Sequence, residues 1–164
     1  EAKNTPINKL TACLLDRPRH KKIIEELKLL GVNIEFISDG DVWGAISVAN
    51  KKHNIDIYLG IGGGPEGVLA ASALSCLDCQ MQGRLIFQNK AEENKATEIG
   101  IRDLNKIYNI EDMVKGDVIF SATGITDGPL LKGIKNGNGF YESETLLLHK
   151  DSKTNKKILN RINK

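Results

Sequence analysis

The chain has 164 residues, of which 40% are hydrophobic and 27% charged, and its formal net charge is +2. These values are typical of a folded globular protein with its own core, and they exclude an intrinsically disordered chain. The small net charge identifies no polyanionic partner, and the sequence has neither an apolar run of about eighteen residues nor a signal-peptide pattern. We therefore expect a cytoplasmic protein, although removal of a targeting segment from the amino terminus would leave the same sequence.

The first predicted strand covers residues 10–15 and leads into a turn that carries Arg17 and Arg19. Apolar residues at helical spacing then predict a helix that ends at Gly31. Guanidinium groups bind phosphate through paired hydrogen bonds, and ligands of open α/β sheets bind at the carboxyl ends of the strands. The two arginines are therefore candidate phosphate ligands, while the simpler interpretation is a solvated loop.

The second predicted strand covers residues 33–37 and is followed by Asp39, Gly40 and Asp41. A new helical stripe begins at Val42, so one of the two aspartates is expected to cap that helix. The other carboxylate is then free to accept hydrogen bonds from sugar hydroxyls or to reach a cation. Helix capping alone is the simpler interpretation for either residue.

The third predicted strand, residues 55–61, alternates apolar side chains and is expected to be buried. It runs into the glycines at residues 62–64, which permit close approach of a ligand to the backbone, and into Pro65 at the start of an apolar helix. Glu66 places a carboxylate in the first helical turn, where the helix N-terminus would otherwise attract a phosphate.

Two ligand chemistries fit this glycine loop. Its G-x-G-x-x-G spacing, beginning at Gly62, matches a dinucleotide-binding turn, which needs a free helix N-terminus and an acidic residue at the end of the next strand. The next predicted strand, residues 84–87, ends instead in Gln88. A divalent metal between Glu66 and a phosphate would avoid the repulsion of two anions. Without a metal, Glu66 would simply complement the helix dipole.

The remaining predicted elements are two helices, two strands and their connections. Helices are predicted over residues 92–104 and 109–114, strands over 117–122 and 140–148, a polar turn over 123–129 and an exposed loop over 135–139. Turn chemistry explains Asp127, which with Thr123 and Thr126 is also a candidate for indirect support of the site. Residues 1–150 are expected to form one α/β domain and residues 151–164 a basic strand or tail, whose lack of aromatic side chains argues against nucleic-acid binding.

The three cysteines are consistent with a reducing compartment. Cys76 and Cys79 have C-x-x-C spacing, but they lie at the end of a predicted helix rather than at its start, and the histidines show no paired spacing for zinc. We therefore interpret the cysteines as structural. His20, beside the arginine turn, is interpreted either as a first-turn helix residue or as a phosphate contact.

Four motifs in the same order closely resemble the class II, GlpX-type fructose-1,6-bisphosphatases: LDRPRH at residues 15–20, ISDGDV at 37–42, GIGGGPEGVLAASAL at 60–74 and GDVIFSATGITDGPLLKGI at 116–134. The resemblance implies a layered α/β/α domain with a mostly parallel or mixed sheet, similar to the second half of the inositol monophosphatase and fructose-bisphosphatase fold. It also implies metal-dependent hydrolysis of the 1-phosphate of fructose 1,6-bisphosphate in gluconeogenesis, with Mn²⁺ or Mg²⁺ as the cofactor.

The resemblance also implies roles for particular residues. Substrate binding is implied for Arg17, Pro18, Arg19, Asp39, Gly40, Asp41 and Gly63. The arginines would lie at the phosphate that is not cleaved, and the aspartates with Gly40 at the sugar. Glu66 is implied as a ligand of the divalent metal, and no catalytic residue is expected within the chain.

The chain departs from that family in length, because family members are about twice as long and their amino-terminal half supplies most of the metal-binding carboxylates. Residues 1–4 are polar and include no initiator Met. We therefore expect a fragment that is inactive alone, from a protein that acts on a sugar bisphosphate as a homo-oligomer, without nucleic acid or membrane. The alternatives are activity on sedoheptulose 1,7-bisphosphate as well, or a non-catalytic nucleotide- or sugar-phosphate-binding module.

Overall fold

The computed structural model describes residues 4–164, which form five α-helices and nine strands. The helices are α1 (Lys21–Leu29), α2 (Asp41–Ser47), α3 (Gly64–Cys76), α4 (Lys90–Glu98) and α5 (Ile110–Met113). The strands are β1 (Thr11–Leu15), β2 (Asn33–Ile37), β3 (Ile57–Tyr58), β4 (Gln82–Gly83), β5 (Tyr108–Asn109), β6 (Ile119–Thr123), β7 (Lys135–Gly137), β8 (Phe140–His149) and β9 (Thr154–Asn163). No helix in this part of the chain is long and apolar enough to cross a membrane.

A parallel sheet holds the first three strands in the order β2-β1-β3. The carboxyl-terminal residue of β1, Leu15, pairs with Ile37 of β2, and Cys13 pairs with Tyr58 of β3. Since β1 is central, its residues from Ala12 to Leu15 are at most 2% exposed. The loops that follow the three strands therefore lie at one edge of the sheet.

Helices separate this parallel sheet from a four-stranded antiparallel sheet, and β4 and β5 form a further two-stranded antiparallel sheet. Helix α1 covers one face of the parallel sheet, where Leu27 packs with Ala12 and Leu14. On the other face, α2 contacts β1 and β3, and α3 packs against α2. The alanines of α3, Ala70, Ala71 and Ala73, are buried, and their small side chains permit this close packing.

In the antiparallel sheet, β8 is central, with β6 and β7 on one side and β9 on the other. Leu146 and Leu148 of β8 and Phe120 of β6 form its buried face, which packs on α3. The basic segment 151–164, predicted as a strand or tail, forms a turn and then β9, which pairs along the whole length of β8. The α/β fold class is thus confirmed, with the parallel and antiparallel strands in separate sheets.

Several predicted elements need correction. The strand predicted over residues 55–61 is limited to β3, and Ile57 is 45% exposed because β3 lies at the sheet edge. Residues 84–87 form no strand; pairing stops at Gly83, and Ile86 is 56% exposed. Helix α4 ends at Glu98 rather than at residue 104, since Gly100 turns the backbone to a φ of +98°. The predicted loop 135–139 contains β7, which forms a hairpin with β8.

Candidate functional site

Two arginines connect the three loops at the carboxyl edge of the parallel sheet. The Arg17 Nη2 donates a hydrogen bond to the Ser38 carbonyl, in the loop after β2, at 2.7 Å. The Arg19 Nε donates to the Ile61 carbonyl, in the loop after β3. Because β1 lies between β2 and β3, the turn that follows it reaches both neighbours. We call residues 16–20 the arginine turn and residues 59–64 the glycine loop.

Two carboxylates lie against consecutive glycines of the glycine loop. The Glu66 carboxylate folds back over Gly63, so a Cβ at that position would overlap Oε2. A Cβ on Gly62 would lie 3.0 Å from the Asp41 Oδ2. Both carboxylates therefore lie against the same backbone segment. The carboxylates fit there because the two glycines have no side chains.

The prediction that an aspartate caps α2 is wrong. Gly40 is the N-cap, with a φ of +90°, and no side chain caps the helix. This left-handed conformation suits glycine and leaves the Asp41 carboxylate to face Gly62 instead. Asp39 is exposed, and its side chain makes no hydrogen bond or ion pair with any residue of segment 4–164.

A cavity of about 510 Å³ opens between β3, α2 and α3. Of the residues implied by the resemblance, Asp41, Gly63 and Glu66 line it, together with apolar side chains such as Leu74 and Met81. Arg17 and Pro18 line a shallower groove nearby, with Lys21 and Lys28. Arg19, Asp39 and Gly40 line neither cavity. The structure thus gathers the three loops but gives the arginines and the carboxylates separate surfaces.

Tyr58 is a site residue that the sequence reasoning missed. Its ring packs against α2 where Gly44 has no side chain, its hydroxyl lies beside Gly60, and the residue lines the cavity. Burial, and secondarily the nearby Asp41 carboxylate, raises the pKa of Tyr58 to about 12. The phenol therefore stays protonated at neutral pH and is a hydrogen-bond donor at the cavity wall. An aromatic residue immediately before the glycine loop was the available sequence signal.

His20 is fully buried, unlike a side chain that contacts a phosphate. Its Nδ1 lies 2.7 Å from the Leu15 carbonyl oxygen and its Nε2 2.9 Å from the Ile61 amide nitrogen. The side chain therefore contacts backbone at the ends of β1 and β3. His20 is the N-cap of α1, directly before the first helical turn in which it was expected. The alternative of a phosphate contact is wrong, because the ring is committed to these two backbone groups.

The donor set fits part of a metal site. The carboxylates of Asp41 and Glu66 are hard oxygen ligands of the kind that Mg²⁺ and Mn²⁺ take. Within residues 4–164, however, no three His, Cys, Asp or Glu side chains come together as a possible metal site. This part of the chain thus offers carboxylate ligands at the cavity without a complete coordination shell.

The residues considered for indirect or zinc-related roles have structural contacts. Asp127 accepts a hydrogen bond from the Gly133 amide, as expected of a turn residue, and Thr123 pairs with Thr145 across two strands. Cys76 and Cys79 are free thiols, and burial raises the pKa of each. Neither cysteine lines the cavity.

The sequence matches the family model of the glpX-encoded bacterial fructose-1,6-bisphosphatases over residues 1–162. It is 38% identical to a protein of Microcystis aeruginosa, 35% to one of Synechocystis and 36% to one of Trichodesmium erythraeum. All three are named D-fructose 1,6-bisphosphatase class 2/sedoheptulose 1,7-bisphosphatase. The alignments cover 92–94% of this chain and 48% of each relative, so the chain spans about half the length of these relatives. The chain belongs to the glpX-encoded bacterial fructose-1,6-bisphosphatase family.

Proposed function

We propose that this chain is the substrate-binding part of a metal-dependent bisphosphatase that hydrolyses fructose 1,6-bisphosphate to fructose 6-phosphate and phosphate. One observation carries the proposal beyond family membership. Hydrogen bonds of Arg17 and Arg19 join the loops after β1, β2 and β3, and the same edge holds two carboxylates against Gly62 and Gly63. Cationic and anionic groups thus lie at the same edge of the sheet, on separate surfaces, and an anionic sugar with a metal requires both kinds of group.

The arginine turn is proposed to bind the phosphate that is not cleaved. Within segment 4–164 the Arg19 guanidinium uses only Nε, for Ile61, which leaves both Nη groups for a phosphate. Arg17 and Pro18 border a groove that also carries Lys21 and Lys28. Asp16 and Glu25 line the same groove, so its three basic side chains leave only a small positive excess for a phosphorylated ligand.

The carboxylate side is proposed to bind the sugar and the cation. Asp39, Gly40 and Asp41 follow β2, where carboxylate oxygens can accept hydrogen bonds from sugar hydroxyls. Gly63 leaves the space in which the Glu66 carboxylate lies, and from there Glu66 would hold Mn²⁺ or Mg²⁺. When bound, such a cation stabilises charge on phosphoryl oxygens. No complete ligand shell lies within residues 4–164, so the chain alone is proposed to be inactive.

Two other functions are compatible with parts of the chain, a second sugar substrate and a dinucleotide-binding role. The relatives' names include sedoheptulose 1,7-bisphosphatase, so we propose the seven-carbon bisphosphate as a second substrate of the same site. A dinucleotide-binding module is disfavoured because the Glu66 carboxylate covers Gly63, where a pyrophosphate would approach the helix N-terminus. The free thiols suit a reducing compartment, and we propose a cytoplasmic, homo-oligomeric enzyme of gluconeogenesis.

The proposal is tested by titrating fructose 6-phosphate into the chain in a calorimeter with Mn²⁺ present. Arg19→Lys keeps the charge but loses the planar donor fork, so the affinity should fall by about tenfold. The matched control is Arg102→Ala, which removes an exposed arginine after α4 and should leave the affinity unchanged. Equal affinity of the Arg19→Lys variant and the unsubstituted chain would contradict the role given to Arg19. A preference for a dinucleotide over the sugar phosphate would contradict the proposed substrate class.

A further inference from the structure

The imidazole of His20 is a buried group that the proposed chemistry does not use. It is 0% exposed and lies between the carboxyl end of β1 and the glycine loop. Leu15, which its Nδ1 contacts, immediately precedes the arginine turn, and Ile61, which its Nε2 contacts, immediately precedes Gly62. The ring therefore joins the two loops that carry the proposed phosphate and metal ligands.

The backbone partners fix the tautomer of the ring. The Leu15 oxygen only accepts, so Nδ1 carries the hydrogen; the Ile61 amide only donates, so Nε2 is the acceptor. Nε2 also lies 3.2 Å from the Ile61 oxygen. A hydrogen on Nε2 would point at the Ile61 N–H, whose nitrogen is only 2.9 Å away. We therefore assign Nε2 as the acceptor, on the basis of this shorter contact. The ring is neutral in this arrangement.

Two consecutive residues of the arginine turn hold a single residue of the glycine loop. His20 accepts from the Ile61 amide, while Arg19 donates through Nε to the Ile61 carbonyl. The direction of the Arg19 fork and the start of the glycine loop therefore depend on each other. A shift of the loop by about 1 Å would move Gly63 and Glu66 relative to the arginines, and such misplacement is costly at binding sites.

We propose that His20 is a positioning residue: its neutral imidazole fixes the arginine turn against the glycine loop and so sets the affinity for a phosphorylated sugar. The proposal rests on the proposed function, since it concerns the same binding edge. His20 touches no ligand in this role, and it acts through Leu15 and Ile61.

Two substitutions separate the two hydrogen bonds. His20→Gln can place its amide oxygen near the former Nε2 and accept from the Ile61 amide, whereas the shorter His20→Asn can donate only to the Leu15 oxygen. Calorimetry with fructose 6-phosphate and Mn²⁺ should then give an affinity within about threefold of the unsubstituted chain for Gln, and about tenfold weaker for Asn. His149→Gln, at the carboxyl-terminal end of β8, is the matched control and should bind normally.

Urea unfolding of each variant shows whether an affinity change merely follows a loss of structure. Should both His20 variants fail to fold, the nitrogen NMR shifts of the unsubstituted chain decide. They should show a protonated Nδ1 and an unprotonated Nε2 on His20, and the Ile61 amide signal should move when fructose 6-phosphate is added. A protonated Nε2, an unmoved Ile61 amide, or a folded His20→Asn variant with normal affinity would each overturn the inference.

The failures of this inference and of the proposed function are distinguishable. If the unsubstituted chain binds no fructose 6-phosphate, the proposed function fails, and the role of His20 in affinity fails with it. If the chain binds the sugar phosphate and Arg19→Lys weakens binding while His20→Asn does not, the proposed function stands and this inference alone is overturned.

Discussion

At Gly63, the Glu66 carboxylate occupies the space that any side chain would need. Gly63→Ala should therefore displace the carboxylate and weaken binding of fructose 6-phosphate in the presence of Mn²⁺ by about tenfold. Since the position is exposed, the free energy of unfolding should change by less than about 1 kcal/mol. Gly64→Ala is the control, because a Cβ there meets nothing within 4 Å. Equal weakening by both substitutions would contradict the proposed role of the Gly63–Glu66 contact.

Tyr58 makes the free energy of unfolding depend on pH in the alkaline range. Its pKa is raised to about 12 by burial and then by Asp41, so the folded phenol keeps a proton that the unfolded phenol loses near pH 10. Between these values the unfolded state binds fewer protons, and stability should fall as the pH rises. Ultraviolet titration of the chain and of Tyr58→Phe should differ by one phenol that ionises near pH 12. Ionisation of that phenol near pH 10 would contradict this environment.

Some of the site residues predicted from the sequence line one cavity, whereas contacts that depend on distant backbone were not predicted. Asp41, Gly63 and Glu66 line the cavity because loops after parallel strands share one edge, which a strand prediction already implies. The hydrogen bond between His20 and Ile61 was not predicted, because the two residues are 41 positions apart along the chain. The predicted aspartate cap of α2 was wrong because Gly40 is the N-cap. Glycine adopts a φ of +90° easily, but the sequence alone does not show that Gly40 does so here.

At the scale of secondary-structure elements, the hairpin formed by β8 and β9 is stabilised by Asp117. It bonds to the ring of His149 at 2.6 Å and accepts from the amides of Val118 and Asp151. The His149 hydrogen bond, first, and these amides lower the pKa of Asp117. Its stabilising effect should therefore be complete above the ordinary pKa of 3.8 and decline as the pH falls through the lowered value.

Asp117→Asn tests this contribution. Urea unfolding should show a less stable protein at pH 7 and a smaller loss of stability between pH 4 and pH 2 than the unsubstituted chain shows. Asp151→Asn changes a neighbouring exposed carboxylate, whose backbone amide rather than side chain bonds to Asp117, and serves as the control. A variant as stable as the unsubstituted chain at pH 7, pH 4 and pH 2 would contradict the role of Asp117.

Elements with a clear periodicity were predicted closely, and short strands were not. The bounds of β2 match the predicted 33–37, and the predicted helix at 109–114 forms α5 with a capping box between Asn109 and Asp112. Strands β3 and β4 have only two residues each, and their extent is set by the partner strand rather than by their own sequence. The same holds for β7, which pairs with β8 although Lys135 and its neighbours are typical loop residues.

At the scale of the whole molecule, the layers bring the site to one open side. The parallel sheet, α2 with α3, and the antiparallel sheet stack on one another, and the cavity lies beside the edge strand β3. Tight packing of α3 on both neighbours fixes the helix that carries Glu66. The candidate residue Glu66 thus stands on a well-packed helix, while the cavity remains accessible.

This architecture predicts binding without turnover. Glu66 and Asp41 border the cavity, but within segment 4–164 no third acidic, His or Cys group joins them in a possible metal site. Hydrolysis of a phosphate ester requires charge stabilisation at both the attacking and the leaving oxygen, which this set does not supply. Incubation of the chain with fructose 1,6-bisphosphate and Mn²⁺ or Mg²⁺ should therefore release phosphate only at the uncatalysed rate. The Microcystis relative, assayed in parallel, is the positive control, and comparable phosphate release by this chain would mean that its own residues complete the catalytic site.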